Sequence, residues 1–186
     1  MFIQTESTPN PATLKFLPGR AVMAAGTADF PSEAAAQASP LARRIFAAGD
    51  VAGVFFGPDF VTVTKAEAAD WSHVKAGVLA AIMEHFQSGA PVIEGEAGAV
   101  GHSDQAGPDA DIIVQIKDLL DTRVRPAVAQ DGGDITFQGF DRGVVYLHMQ
   151  GACAGCPSST MTLKMGIENL LRHYIPEVLE VRPVAV

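Results

Sequence analysis

Two cysteines, Cys153 and Cys156, are the residues of this chain whose type and spacing could do chemistry. They are the only cysteines among 186 residues, and two small residues separate them. This spacing lets two thiolates bind one metal centre, and it also lets them close a disulfide. Pro157 follows and opens a run with helical periodicity. We therefore expect both sulfurs at a helix N-terminus, where unpaired N–H groups and the helix dipole stabilise thiolates.

The number of ligands restricts the metal chemistry. A tetrahedral zinc site or a four-thiolate iron–sulfur cluster needs four protein ligands, whereas one chain supplies two sulfurs. His173 lies at the far end of the predicted helix, about 25 Å from its first residue. His148 alone would add only a third ligand, and a lone histidine on a strand is more often a packed or solvated residue.

Several interpretations of the cysteine pair remain open. Two chains could each supply two thiolates to one shared cluster, or the pair could be a dithiol redox centre. The redox centre would be unusual, because the motif follows an antiparallel hairpin rather than the βαβ unit of thioredoxin-like domains. A zinc-binding or plain interaction module, or two buried cysteines acting as small hydrophobic side chains, are further alternatives. The shared cluster is favoured by small neighbours that allow close N–H···S contacts, namely Gly151, Ala152, Ala154 and Gly155.

The composition is that of a globular protein in a reducing compartment. Hydrophobic residues make up 48% of the chain and charged residues 18%, and the net charge of −8 disfavours nucleic acid as a partner. Residues 1–6 lack the features of a secretory or transit peptide, and the longest apolar run is too short to cross a bilayer. We therefore expect a cytoplasmic protein with no membrane partner, in which cysteines more often serve metal or redox chemistry than structural disulfides.

The order of patterns predicts an α+β chain of two small domains, each a short, mainly antiparallel sheet packed by helices. Residues 89–109 combine glycine, proline and acidic residues without periodicity, which predicts a flexible linker. It separates a first domain at 1–88 from a second domain at 110–186, and each is long enough to form its own core.

Hydrophobic periodicity and turn residues predict the elements of each domain. In the first domain we expect strands at 2–5, 12–17, 51–56 and 60–65 and helices at 40–48 and 70–87, with only weak patterning over 21–38. In the second we expect a helix from 111 toward 128 that Pro126 kinks or shortens, a tight turn at 131–134, hairpin strands at 135–140 and 144–149, a helix from 157 to about 174 and a strand at 178–181.

Several motifs in both halves resemble one known family. The second half resembles the NifU-like C-terminal domain of Nfu proteins, and the first half is similar to their N-terminal domain. The motifs of the second half are Arg125-Pro126, Asp131-Gly132-Gly133-Asp134, Gly151-x-Cys153-x-x-Cys156-Pro157 and Pro176-Glu177-Val178. Those of the first half are Thr8-Pro9-Asn10-Pro11, Thr13-Leu14-Lys15-Phe16 and Gly53-Val54-Phe55-Phe56-Gly57.

This resemblance implies a non-enzymatic iron–sulfur scaffold or carrier with no catalytic residues. Such a protein would hold a 4Fe–4S cluster between two subunits through Cys153 and Cys156, although the ligand count fits a 2Fe–2S cluster equally well. Its expected partners are a second copy bound through the C-terminal domain, upstream cluster-assembly proteins and client apoproteins. Its expected location is the bacterial cytoplasm, or an organelle matrix if a presequence has been removed. A thiol–disulfide oxidoreductase and a zinc-binding module remain the alternatives.

Overall fold

Two compact units make up the part of the chain that the structure describes. The computed structural model describes residues 1–95, 107–155 and 157–184, with the backbone alone for 157–159. One unit lies before residues 96–106 and the other after them. Each unit combines a sheet with helices, which confirms the predicted α+β class and architecture. No helix within the described ranges is long and apolar enough to span a membrane.

The first unit is a five-stranded antiparallel sheet with the strand order β1-β2-β5-β4-β3. Two helices bury their apolar sides against one face of this sheet and form its core with it. The strands are β1 (Gln4–Ser7), β2 (Thr13–Leu17), β3 (Ala28–Phe30), β4 (Val51–Phe56) and β5 (Val61–Lys65), and the helices are α1 (Pro40–Ala47) and α2 (Trp71–Ser88).

The predicted elements of the first unit are confirmed to within about two residues at their ends, which is the usual uncertainty of such boundaries. Ser39 and Asp70 cap α1 and α2, since their side chains accept hydrogen bonds from the N–H groups of Ala42 and Ser72. The weakly patterned stretch contains β3 and a 3₁₀ turn that the sequence did not predict. A three-residue strand is too short to show an alternating pattern.

Residues 92–94 belong to the first unit, although they were predicted to lie in the linker. The Ser39 hydroxyl donates a 2.6 Å hydrogen bond to the Val92 carbonyl, and the Glu94 N–H donates to the Ala38 carbonyl at 2.7 Å. Residues 92–94 make these bonds with backbone groups alone. Every residue type has such groups, so the sequence could not indicate the bonds. The middle of the predicted linker lies outside the described residues and stays a prediction.

The second unit has a three-stranded mixed sheet in which β7 is central. β6 pairs with it antiparallel and β8 parallel, and the helices share one core with the sheet. The strands are β6 (Gly133–Asp141), β7 (Val144–Gly151) and β8 (Glu180–Pro183), and the helices are α3 (Ala110–Leu119), α4 (Arg125–Gln130) and α5 (Pro157–Tyr174).

The helix before β6 is interrupted, as the proline within it predicted. A π-helical turn, Leu120–Val124, joins α3 to α4, and the Arg125 N–H donates to the Leu120 carbonyl across five residues. Pro126 then occupies the first turn of α4, where a missing N–H leaves no intrahelical bond unmade. The irregularity therefore lies just before the proline rather than at it.

The last strand starts two residues later than predicted. Val178 is buried in the core, and the Leu179 and Glu180 N–H groups both donate to the Gly143 carbonyl at the hairpin turn. Only after this turn contact does the chain run parallel to β7.

We predict that Ser39→Ala destabilises the first unit by about 1–3 kcal/mol, because it removes a helix cap and leaves the Val92 carbonyl without its donor. Trp71 is the only tryptophan and packs near Phe16 in this unit, so its fluorescence during urea denaturation reports the loss. The control is Ser32→Ala, an exposed serine whose hydroxyl accepts one 3.3 Å bond. Equal losses in the two variants would contradict the assigned role of Ser39.

We also predict that acid weakens the first unit through His85. This side chain is buried on α2, and burial, together with the positive charge of Arg44, lowers its pKa below the usual value. The unfolded chain then binds a proton more readily than the folded chain. Stability should consequently fall as the pH drops below about 6.5. Urea denaturation at pH 7.5 and 5.5 should show a smaller pH effect in His85→Leu than in the native chain, with His73→Leu as the exposed control.

Candidate functional site

Cys153 follows the end of β7, beside the turn that leads into β6. We call residues 151–155 the cysteine loop and residues 131–134 the glycine turn. Gly133 and Gly151 face each other in the β6–β7 register, so the loop and the turn meet at the open end of the hairpin. Gly132 and Gly151 both have positive φ, 82° and 63°, a conformation that glycine adopts without steric cost.

Hydrogen bonds hold the cysteine loop in a compact conformation. The Ala152 N–H donates to the Gly132 carbonyl at 3.2 Å, and the Cys153 N–H donates to the Gln150 carbonyl at 3.3 Å. The Thr160 hydroxyl donates to the Cys153 carbonyl at 3.2 Å. The loop is therefore fastened to the glycine turn on one side and to α5 on the other.

Cys153 is buried beneath this loop, with 6% of its surface exposed, and it packs into the core of the second unit. Its sulfur lies against Gly133, where a Cβ atom would overlap the sulfur and approach the Gln150 carbonyl to 2.8 Å. A glycine is thus required at 133 by contact rather than by backbone conformation. From the sequence the glycine turn was predicted only as a tight turn that ends the preceding helix. The sequence signal for this contact is the second glycine of the turn. The positive φ lies at Gly132, so backbone conformation does not explain why Gly133 is also a glycine.

A half-buried ion pair lies next to the glycine turn. The Asp134 carboxylate is 5% exposed and receives two hydrogen bonds of 2.8 Å from Arg125, one from Nε and one from Nη2. The same carboxylate accepts the N–H of Ile135, and Arg125 also donates to Asp121 at 3.0 Å. The hydrogen bonds that Arg125 donates to Asp134 raise the pKa of Arg125 above its usual value. The sequence motifs contained both residues, but nothing in them indicated the pairing.

The electrostatics of Cys153 differ from the prediction. Burial, together with the negative charges of Asp131 and Asp134, raises the pKa of its thiol to about 12. The expected stabilised thiolate is therefore wrong for Cys153, because the loss of hydration disfavours the charged form. A buried, protonated thiol is also a poor nucleophile for disulfide exchange, which weakens the redox interpretation. Binding to a metal centre would have to remove its proton.

The other predicted site residues lie apart from Cys153 or outside the described residues. Cys156 is not among the residues that the structure describes, so its position and role stay predictions. His148 Nδ1 lies 3.3 Å from the Val184 carbonyl, and the His173 ring stacks edge-on against Tyr174 at the far end of α5. Within the described ranges no three histidine, cysteine or acidic side chains are grouped so that they could hold a metal ion.

Two family models match the chain, one for each half. Residues 3–89 match the model described as scaffold protein Nfu/NifU N terminal, and residues 116–182 match the NifU-like domain.

Curated relatives match the chain over nearly its whole length. The chain is 52% identical over 185 residues to the NFU1 iron-sulfur cluster scaffold homolog, mitochondrial, of Drosophila willistoni, covering 99% of this chain and 64% of the relative. It is 51% identical over 181 residues to NifU-like protein 4, mitochondrial, of Arabidopsis thaliana, covering 96% and 64%. The human NFU1 iron-sulfur cluster scaffold homolog, mitochondrial, is 51% identical over 187 residues, with coverages of 99% and 72%. The chain thus spans less than two thirds of the fly and plant relatives.

We predict that Gly133→Ala opens the cysteine loop. The added methyl group must displace the Cys153 sulfur or the Gln150 carbonyl, and overpacking of this kind costs about 1–3 kcal/mol. Alkylation of Cys153 in the metal-free chain, followed by peptide mass spectrometry, should be roughly ten- to a hundredfold faster. The control is Gly166→Ala on α5, where a Cβ would meet no atom within 4 Å. An unchanged alkylation rate in Gly133→Ala would contradict the contact.

Proposed function

The chain belongs to the Nfu family of iron–sulfur cluster scaffold proteins, and we propose that it carries a 4Fe–4S cluster between two copies of itself and delivers it to apoproteins. The observation that carries this proposal is the incomplete donor set. One chain has two thiols and a four-thiolate cluster needs four, so a second chain must supply the rest. The chain performs no reaction of its own in this proposal.

The cysteine loop fits such a cargo. Thiolates are the usual ligands of iron–sulfur clusters, and we assign Cys153 and Cys156 as the ligands of each chain. The missing side chain at Gly133 leaves the Cys153 sulfur in contact with backbone, and small neighbours allow N–H groups to approach a cluster sulfide. Because the Cys153 thiol is buried, loading requires the loop to turn outward and the thiol to lose its proton.

Sharing of the cluster supports transfer as well as binding. Each chain contributes only half of the ligands, so separation of the two copies leaves the cluster with open coordination positions. Thiolates of a client apoprotein can take these positions, which moves the cluster without breaking all its bonds at once. Upstream assembly proteins would load the cluster through the reverse exchange.

The relatives support one of the two locations expected from the sequence. The fly, plant and human relatives are each named as mitochondrial, which favours the organelle-matrix alternative over the bacterial cytoplasm. Both the location and the clients of this chain are part of the proposal.

Anaerobic reconstitution with iron and sulfide tests the proposal. We expect about four irons in a size-exclusion peak that contains two chains, with the absorption and Mössbauer signals of a 4Fe–4S cluster. Cys153→Ala and Cys156→Ala should each abolish the cluster, because two ligands remain for a centre that needs four. His148→Ala is the control and should keep the full iron content, since its ring contacts the Val184 carbonyl.

Three outcomes would overturn this function. The first is a monomeric peak with the full cluster, and the second is iron content that survives loss of either cysteine. The third is stoichiometric zinc, with no uptake of iron, in protein purified without oxygen. Incubation of the loaded dimer with an apo-ferredoxin should transfer the cluster. If no thiol-containing apoprotein accepts the cluster, the chain stores clusters and does not carry them.

A further inference from the structure

The pair of Arg125 and Asp134 is half-buried, with the carboxylate 5% exposed and the arginine side chain 34% exposed. Both oxygen atoms of the Asp134 carboxylate accept hydrogen bonds of 2.8 Å from one guanidinium. Such a pair adds little net stability, because desolvation of the carboxylate offsets much of the attraction between the charges. Its position therefore calls for an explanation other than stability.

The pair stands directly behind the glycine turn. Asp134 follows Gly133, whose backbone touches the Cys153 sulfur, and it lies opposite Gln150, whose carbonyl accepts the N–H of Cys153. The side chain of Asp134 also holds the N–H of Ile135. Any movement of this carboxylate consequently shifts the turn against which the thiol packs.

The interrupted helix supplies Arg125, the cation of this ion pair. A π-helical turn inserts an extra residue per turn, and such turns occur frequently at functional sites. Here the π turn Leu120–Val124 ends immediately before Arg125, which then reaches Asp134 with Nε and Nη2 and Asp121 with Nη1. The guanidinium is thus held from two sides.

The charge of this pair matters to a thiolate-bound cluster. Asp134 directly follows Gly133, which packs against the Cys153 sulfur, and its carboxylate helps to raise the pKa of the thiol. A cluster with four thiolate ligands is itself an anion, so a buried carboxylate beside it would be repulsive. The guanidinium of Arg125 offsets that charge at the buried carboxylate, and the arginine side chain itself is 34% exposed.

We infer that Arg125 is a positioning residue of the cluster site, which fixes the glycine turn at the base of the cysteine loop and neutralises Asp134 beside the bound cluster. This inference rests on the proposed function, because the charge argument needs a cluster. Residues around metal ligands typically change metal affinity ten- to a hundredfold when they are replaced. Arg125 and Asp134 are assigned that role here.

The cluster-loaded chain tests the inference with four variants. Arg125→Gln should lose its cluster to a chelator about tenfold faster than the native chain. Arg125→Gln combined with Asp134→Asn should return to within about threefold of the native rate, because the uncompensated carboxylate is gone. Arg125→Lys should be intermediate, since a lysine cannot form the fork. Arg172→Gln, which breaks an exposed pair with Glu168 on α5, is the control and should match the native rate.

The reduction potential separates the charge role from a purely structural one. Arg125→Gln should lower the potential of the cluster, because an uncancelled negative charge disfavours a further electron. Asp134→Asn should raise it, because Arg125 then keeps its positive charge. A structural disturbance would not give opposite signs. Shifts in the same direction, or a double variant no slower to lose its cluster than Arg125→Gln, would overturn the inference.

The metal-free chain provides a readout that does not depend on cluster binding. Arg125→Gln should increase the alkylation rate of Cys153 several-fold, and the double variant should reverse the increase. Equal rates in the native, Arg125→Gln and double-variant chains would overturn the positioning role. If the native chain takes up no cluster while these alkylation rates follow the expectation, the proposed carrier function fails and the positioning of Cys153 by Arg125 stands.

Discussion

The antiparallel pairing of β6 with β7 is the constraint on which the site depends. Its register places Gly133 opposite Gly151, so the strand that ends in the cysteine loop finishes beside the turn that starts the hairpin. Shifting one strand by one residue would reverse its faces relative to the other strand and take either Ile135 or Leu147 out of the core. The core of the second unit and the position of Cys153 are consequently fixed by the same hydrogen bonds.

Burial of Cys153 and the shared cluster impose opposite demands on the loop. In the described chain the thiol packs among apolar side chains and keeps its proton, which protects it from oxidation and unwanted exchange. A cluster held between two chains needs that sulfur charged and turned toward a partner. Backbone hydrogen bonds hold the loop in the first state, and the alanine and glycine residues around the cysteine add few side-chain contacts to them. Storage and release of the cluster both require a site that is stable only while a second chain is bound.

The first unit differs in character from the second. Its five-stranded sheet and two capped helices share one apolar core, and the family match assigns the unit to a known domain without indicating a chemical role. Its buried features, such as the Ser39 cap that ties residues 92–94 to α1, serve the stability of the unit itself. The chemistry assigned to this chain therefore lies in the second unit.

The sequence by itself determined the elements, the α+β class and the residues with chemical potential, because periodicity, caps and turn residues are local and the cysteine spacing is short. It also determined that two thiols cannot complete a cluster, which is a matter of counting. Only the tertiary structure decided that Gly133 touches the Cys153 sulfur and that Arg125 pairs with Asp134. The structure also shows a buried thiol at Cys153, where a thiolate was expected. These features depend on desolvation and on contacts between segments that meet only when β6 and β7 pair, and no local pattern encodes them.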